Sequence, residues 1–180
     1  YTLAIELNPK DAWAYQNRGL AYYNLQKYDL AITDYTKAIE LNPKDAWAYQ
    51  NRGLAYYNLQ KYDLAIADHT KAIELDPNNA WVYHNRAETY KELKKYDLAI
   101  ADYTKAIELD PNNFDAYNNR GNVYKELKKY DLAIADYTKA IELDPNNFDA
   151  YQNRGNVYKE LKKYDLAIAD YTKAIKVTFD

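Results

Sequence analysis

Apolar and small residues recur along this chain in two alternating patterns, both with the period of an α-helix. From Ala12 onward, Ala14, Tyr15, Ala21, Tyr22 and Leu25 fall on one helical stripe. From Tyr28 onward, Tyr28, Ala31, Ile32, Tyr35, Ala38 and Ile39 form a second stripe. Two helices are therefore predicted, with a short polar break between them. Asp11, Asp45, Asn79, Asn113 and Asn147 each stand just after a proline turn, where an N-cap is wanted. Asp29 near the start of the second helix suits the helix dipole. That helix must end before Pro43, because a proline pushes the residue ahead of it out of helical geometry. Gly19, Ala31 and Ala38 let two helix axes come close, and the tyrosines fill the remaining gaps.

The helix pair repeats. Pro9, Pro43, Pro77, Pro111 and Pro145 lie 34 residues apart, and Gly19, Gly53, Gly121 and Gly155 keep the register, with Ala87 in the remaining slot. Segments 12–45 and 46–79 differ only at Thr33/Ala67, Tyr35/His69, Asn42/Asp76, Lys44/Asn78 and Asp45/Asn79. Segments 114–141 and 148–175 differ only at Asn118/Gln152. Such likeness points to recent tandem duplication or to deliberate engineering. The predicted architecture is an all-α solenoid forming a single domain over 1–180. A partial second helix and turn at 1–11 precede repeats 12–45, 46–79, 80–113, 114–147 and 148–180. Tyr1–Leu7 matches Tyr35–Leu41, and Lys176-Val177-Thr178-Phe179-Asp180 breaks the pattern at the other end. With no polar capping helix, exposed ends would favour head-to-tail self-association.

Composition removes several function classes. The 180 residues carry 24 basic and 27 acidic side chains, a net charge of −3, which argues against a nucleic-acid partner. No apolar run reaches the length of a membrane span, so no membrane partner is expected. There is no cysteine, and His69 and His84 are the only histidines, so neither a thiolate nor a histidine-rich metal site is available. The chain has no phosphate loop, nucleophile–base pair or HExxH pattern. Neither an enzyme activity nor a cofactor is expected. The absence of methionine, even at position 1, suggests a fragment or a processed chain.

Tyr15-x2-Arg18-Gly19-x2-Tyr22, followed by Ala31-x3-Tyr35, Ala38 and Pro43, resembles the tetratricopeptide repeat, and the resemblance covers essentially the whole chain. It implies antiparallel helix pairs stacked into a right-handed superhelix with a concave groove. Two departures stand out. Arg18, Arg52, Arg86, Arg120 and Arg154 occupy a position where the family usually has leucine. Gln26, Gln60, Lys94, Lys128 and Lys162 occupy the turn that often carries glycine. A side chain at positive φ costs on the order of 1 kcal/mol there, which points to a turn built differently. The cations of a chaperone-type carboxylate clamp are also missing, since Trp81, Asp115 and Asp149 fill one of their positions.

Repeated arginines need partners if they are buried. Asp34, Asp68, Asp102, Asp136 and Asp170 recur on the second helices, which suggests an Arg–Asp ladder within a repeat or across the seam. The alternative is a solvated guanidinium lying over a tyrosine face.

The resemblance places Asn17, Asn51, Asn85, Asn119 and Asn153 on the groove edge of the first helices. A carboxamide donates and accepts at once, so a row of them can hold an extended peptide by its main chain. Related proteins of the family carry similar asparagine ladders. The alternative is that these asparagines bond to an adjacent repeat. In the first half, Trp13, Trp47, Trp81, Leu20, Leu54, Tyr23 and Tyr57 should face the groove and suit an apolar segment. In the second half, Asp115, Asp149, Asn122, Asn156, Lys125 and Lys159 should make it polar. Trp81, His84, Glu88 and Lys91 form the junction, and His69 should pack between helices. The expected function is a scaffold that binds a protein or peptide. The competing expectation is a structural module that stacks end to end. The cytoplasm is the default compartment for either.

Overall fold

A computed structural model describes residues 1–179, so Asp180 at the end of the fifth repeat lies outside the described residues. Among the described residues there are eleven helices and no strand. They are α1 (Thr2–Leu7), α2 (Ala12–Asn24), α3 (Tyr28–Leu41), α4 (Ala46–Asn58), α5 (Tyr62–Leu75) and α6 (Ala80–Glu92), then α7 (Tyr96–Leu109), α8 (Phe114–Glu126), α9 (Tyr130–Leu143), α10 (Phe148–Glu160) and α11 (Tyr164–Phe179). The chain forms two compact units, Tyr1–Leu93 and the part from Lys94 onward.

The proline turns produce the expected caps. Asp45 accepts from the N–H groups of Trp47 and Ala48 at 3.0 and 3.3 Å, and Asn147 accepts from Ala150 N–H at 2.9 Å. Each second helix that is followed by a proline stops two residues short of it, as at Leu41 before Pro43 and Leu143 before Pro145.

The turn inside each helix pair corrects the expectation of a different build. Gln26, Gln60, Lys94, Lys128 and Lys162 all adopt positive φ, between 56° and 59°. Lys128 N–H donates to the Lys125 carbonyl at 2.9 Å, and Lys129 N–H donates to the Tyr124 carbonyl at 2.8 Å. This is the double bond of a Schellman cap, which satisfies the last carbonyls of the helix. The fold keeps the turn geometry that glycine favours and tolerates the strain of a side chain in it. Lys128→Gly should therefore stabilise the second unit by about 0.5–1 kcal/mol, measured by urea unfolding. Unchanged or lower stability would show that the turn carries no such strain.

The helix pairs are antiparallel, since contacts advance toward the turn from both sides. Arg18 meets Asp34, and closer to the turn the rings of Tyr23 and Tyr28 lie 5.4 Å apart. The buried tyrosine rings explain the glycines. A Cβ on Gly19 would stand 2.9 Å from the Tyr35 ring, and one on Gly121 would stand 2.8 Å from the Tyr137 ring. In the second unit Ala133, Tyr137 and Val157 form a buried cluster, with Tyr124, Tyr130, Ile134 and Leu161 packed around it.

The arginine ladder runs within repeats. Arg18–Asp34, Arg52–Asp68, Arg120–Asp136 and Arg154–Asp170 are bidentate pairs at 2.7–2.8 Å. The guanidinium groups lie over tyrosine rings too, but paired and mostly buried, not solvated. Arg120 Cζ lies 5.8 Å from the Tyr117 ring centre and 5.9 Å from that of Tyr124. The remaining guanidinium nitrogen reaches the preceding repeat, where Arg52 donates to Thr36, Arg86 to Thr70, Arg120 to Thr104 and Arg154 to Thr138, at 2.9–3.0 Å. One side chain thus ties its own helix pair and the seam behind it.

Candidate functional site

The first helices α2, α4 and α6 lie side by side in the first unit, as α8 and α10 do in the second. In each unit the face of the first helices holds residues expected to bind a partner.

On the first unit, Asn17 donates to the Trp13 carbonyl and Asn51 to the Trp47 carbonyl, both at 2.8 Å. Each asparagine is tied to its own helix, one turn back, beside the tryptophan that it follows. This differs from a bond to the adjacent repeat. The tryptophans rest on aromatic neighbours without being covered. Trp13 meets Tyr1 edge-on, Trp47 meets Tyr35 edge-on, and Trp81 stacks flat on His84 at 5.4 Å. They remain 63, 38 and 48 % exposed, respectively. His84, which the sequence places at the junction, is itself buried within this stack.

The tyrosines have separate settings. The Tyr23 hydroxyl accepts from Asn58 at 3.0 Å, which links α2 to α4. Tyr57 tilts against Tyr62 and lines a small pocket of about 110 Å³ together with Leu54, Asn85 and Glu88. Burial, with the Glu92 and Glu88 carboxylates adding to it, pushes the Tyr57 hydroxyl up to about 12, so it stays protonated and can donate. Lys91 pairs with Glu88 at 2.7 Å. Asn85 departs from the other asparagines. It is only 7 % exposed, and its buried amide nitrogen has no hydrogen-bond partner.

On the second unit, Asn119 is half-buried, and Asn153 donates to Asn118 of the adjacent repeat at 3.4 Å. Lys125 is half-buried, while Lys159, Asp115 and Asp149 are exposed. Asn122 and Asn156 are less available than the sequence suggests. Each accepts from a second-helix tyrosine, Tyr137 or Tyr171, at 2.8 Å. In the first unit Leu20 and Leu54 stand at the equivalent positions. There the Tyr35 hydroxyl and both His69 ring nitrogens are buried without a hydrogen-bond partner. Sequence reasoning missed this link, although a signal exists: a fixed offset of 15 residues separates each asparagine from its tyrosine.

Among the described residues no cluster of acidic or histidine side chains is suited to a metal ion, and no helix is long and apolar enough to cross a membrane.

Stacked helix pairs with short turns and an open face of first helices define a helical-repeat scaffold. A sequence profile described as tetratricopeptide repeat matches residues 12–45, 46–79 and 114–147. A TPR repeat profile matches 88–128, and another tetratricopeptide repeat profile matches 70–101 and 136–169. The chain belongs to the tetratricopeptide repeat family. No curated protein sequence matches it. Among solved structures it is similar to MamA, with 27 % identity over 89 % of this chain and 94 % of that one and a TM-score of 0.84. It is also similar to YrrB, described as a TPR protein with an unusual peptide-binding site, at 27 % identity over 99 % and 92 % of the two chains and a TM-score of 0.79. A segment of MamA from Desulfovibrio magneticus RS-1 has the same fold, at 21 % identity over 93 % and 94 % of the chains with a TM-score of 0.86.

Proposed function

We propose that this protein is an interaction scaffold whose first unit binds an extended peptide segment of a partner along the face of α2, α4 and α6. The pairing of two exposed tryptophans, Trp13 and Trp47, with pinned asparagines carries the reading. Asn17 and Asn51 each use one N–H on a tryptophan carbonyl, which fixes the carboxamide and leaves it further capacity to donate and accept. A group held before the ligand arrives loses little entropy on binding. Trp13 and Trp47 beside them supply apolar contact area of the kind that dominates interface energetics. The peptide-binding site ascribed to YrrB supports the same use of this fold. Asn119, Asn153, Lys125 and Lys159 give the second unit a polar face that would suit polar segments.

The test is binding to a peptide array by the parent and by an Asn17→Ala, Asn51→Ala double variant with unchanged helicity and melting. The parent should bind a subset of peptides, and the variant should lose at least about tenfold in affinity, the equivalent of two hydrogen bonds. Equal binding by both, or none by either, would sink the reading. Association that grows with protein concentration in the absence of peptide would favour a self-stacking module instead.

A further inference from the structure

The pocket lined by Leu54, Tyr57, Asn85 and Glu88 combines residue types that no other pair of adjacent repeats brings to these positions. At the position of Glu88 the other repeats carry Leu20, Leu54, Asn122 and Asn156. The pocket's lining mixes apolar and polar groups. Leu54 supplies the apolar wall. The protonated Tyr57 hydroxyl and the Asn85 amide supply donors, and the Glu88 carboxylate supplies an acceptor. Asn85 is more than nine-tenths buried, and its amide nitrogen has no hydrogen-bond partner, so a buried donor there awaits an acceptor. Asn17 and Asn51 sit half-buried at the open face, but Asn85 lies too deep for a peptide main chain.

We propose that this pocket is a specificity subsite for a carboxamide side chain, glutamine or asparagine, of the peptide bound along the first-helix face. The proposal rests on the peptide-binding reading above. A carboxamide matches the pocket group for group. Its oxygen accepts from Asn85 and Tyr57, its nitrogen donates to Glu88, and its methylene stem lies on Leu54. The cavity of about 110 Å³ has room for such a side chain. Other polar side chains match less well. A lysine or arginine brings only donors, so Asn85 would stay unsatisfied, and Glu88 already faces a cation in Lys91 at 2.7 Å. A glutamate brings the acceptor but sets its charge against Glu88, with Glu92 close enough to act on the same hydroxyl.

The experiment is selection from a library of short randomised peptides on the intact chain. Glutamine, glutamate and lysine versions of the selected peptides are then titrated against the parent and against Glu88→Gln. Selected peptides should share a glutamine or asparagine at one position. Replacing it with glutamate should cost the parent about tenfold or more in affinity, as expected when the hydrogen bond donated to Glu88 is lost and two carboxylates are set together. In Glu88→Gln the repulsion is gone and Lys91 has lost its partner, so the preference for glutamine over glutamate should vanish or invert. Peptides that bind without a shared carboxamide, or a preference that Glu88→Gln leaves intact, would overturn the subsite while the peptide reading stands. If no peptide is enriched, both fall together.

Discussion

Replacing Asp136 with alanine should destabilise the second unit by about 3–5 kcal/mol, the loss expected when one partner of a buried ion pair is removed. The side chains of Arg120 and Asp136 are only 16 and 8 % exposed, and two charge-assisted bonds of 2.8 Å join them. Burial alone would lower the arginine's affinity for its proton, yet the Asp136 hydrogen bond and charge outweigh that effect and leave it raised. Without the carboxylate, the cation stays between the Tyr117 and Tyr124 rings with only Thr104 to accept from it. Cation–π attraction of about 1–2 kcal/mol recovers part of the loss. Two controls separate the pair from mere truncation. Asp131→Ala, at an exposed position in the first turn of α9, should cost under about 1 kcal/mol. Arg120→Leu added to Asp136→Ala should restore a good part of the stability, because an apolar group leaves no charge unpaired. Urea unfolding at constant pH measures all of these. If Asp136→Ala costs no more than Asp131→Ala, the ladder contributes no stability.

The fold was legible because every repeat states the same local rules. Proline, cap residue and apolar stripe agree on where each helix begins and ends, and that agreement recurs down the chain. The arginine–aspartate pairing was legible too, since buried charges restrict what their neighbours can be. The turn was not. A propensity argument weighs one residue, whereas the Schellman bonds and the packing of both helices over-determine Lys128 and its equivalents. Residue type also failed to separate Asn85 from Asn51. Both occupy the same register, four residues after a tryptophan, yet Asn51 turns onto its tryptophan carbonyl while Asn85 is buried beside Tyr57 and Glu88. Asn122 and Asn156 were misjudged for a similar reason. A polar residue on the expected groove face can still be held by the hydroxyl of a buried tyrosine. Repetition encodes the scaffold, while the site depends on where the copies differ.

His69 is the most consequential of those differences for stability, and it makes the first unit sensitive to acid. The ring is fully buried against Gly53, where the corresponding positions carry Tyr35 and Tyr137. Burial lowers it to about 4, and the positive charge of Arg86 adds to the effect, while the nearby Gln50 backbone opposes it only weakly. The ordinary histidine value is about 6.5, so the folded state favours the neutral ring. The associated stability is fully present above about pH 6.5, and it is lost as the pH falls from there toward 4, because the unfolded chain takes up the proton first. Between neutral pH and pH 4 the loss amounts to about 3 kcal/mol. His69→Tyr removes it. Tyrosine fits this slot in the preceding repeat, where Tyr35 packs on Gly19 as His69 packs on Gly53. The Tyr35 hydroxyl has no partner there, so no gain is expected from the substitution at neutral pH. The informative quantity is the difference between parent and variant in urea unfolding at neutral pH and again near pH 4. Carboxylates common to both proteins cancel in that comparison. A difference that widens by about 3 kcal/mol in favour of the variant identifies a histidine trapped in its neutral form. Parallel curves would mean that the ring is solvated or paired in solution. Because α5 packs on α4, loosening at His69 bears directly on the helix that carries Leu54 and Tyr57. The repeat that departs from tyrosine at its core is therefore the one that supports the pocket wall.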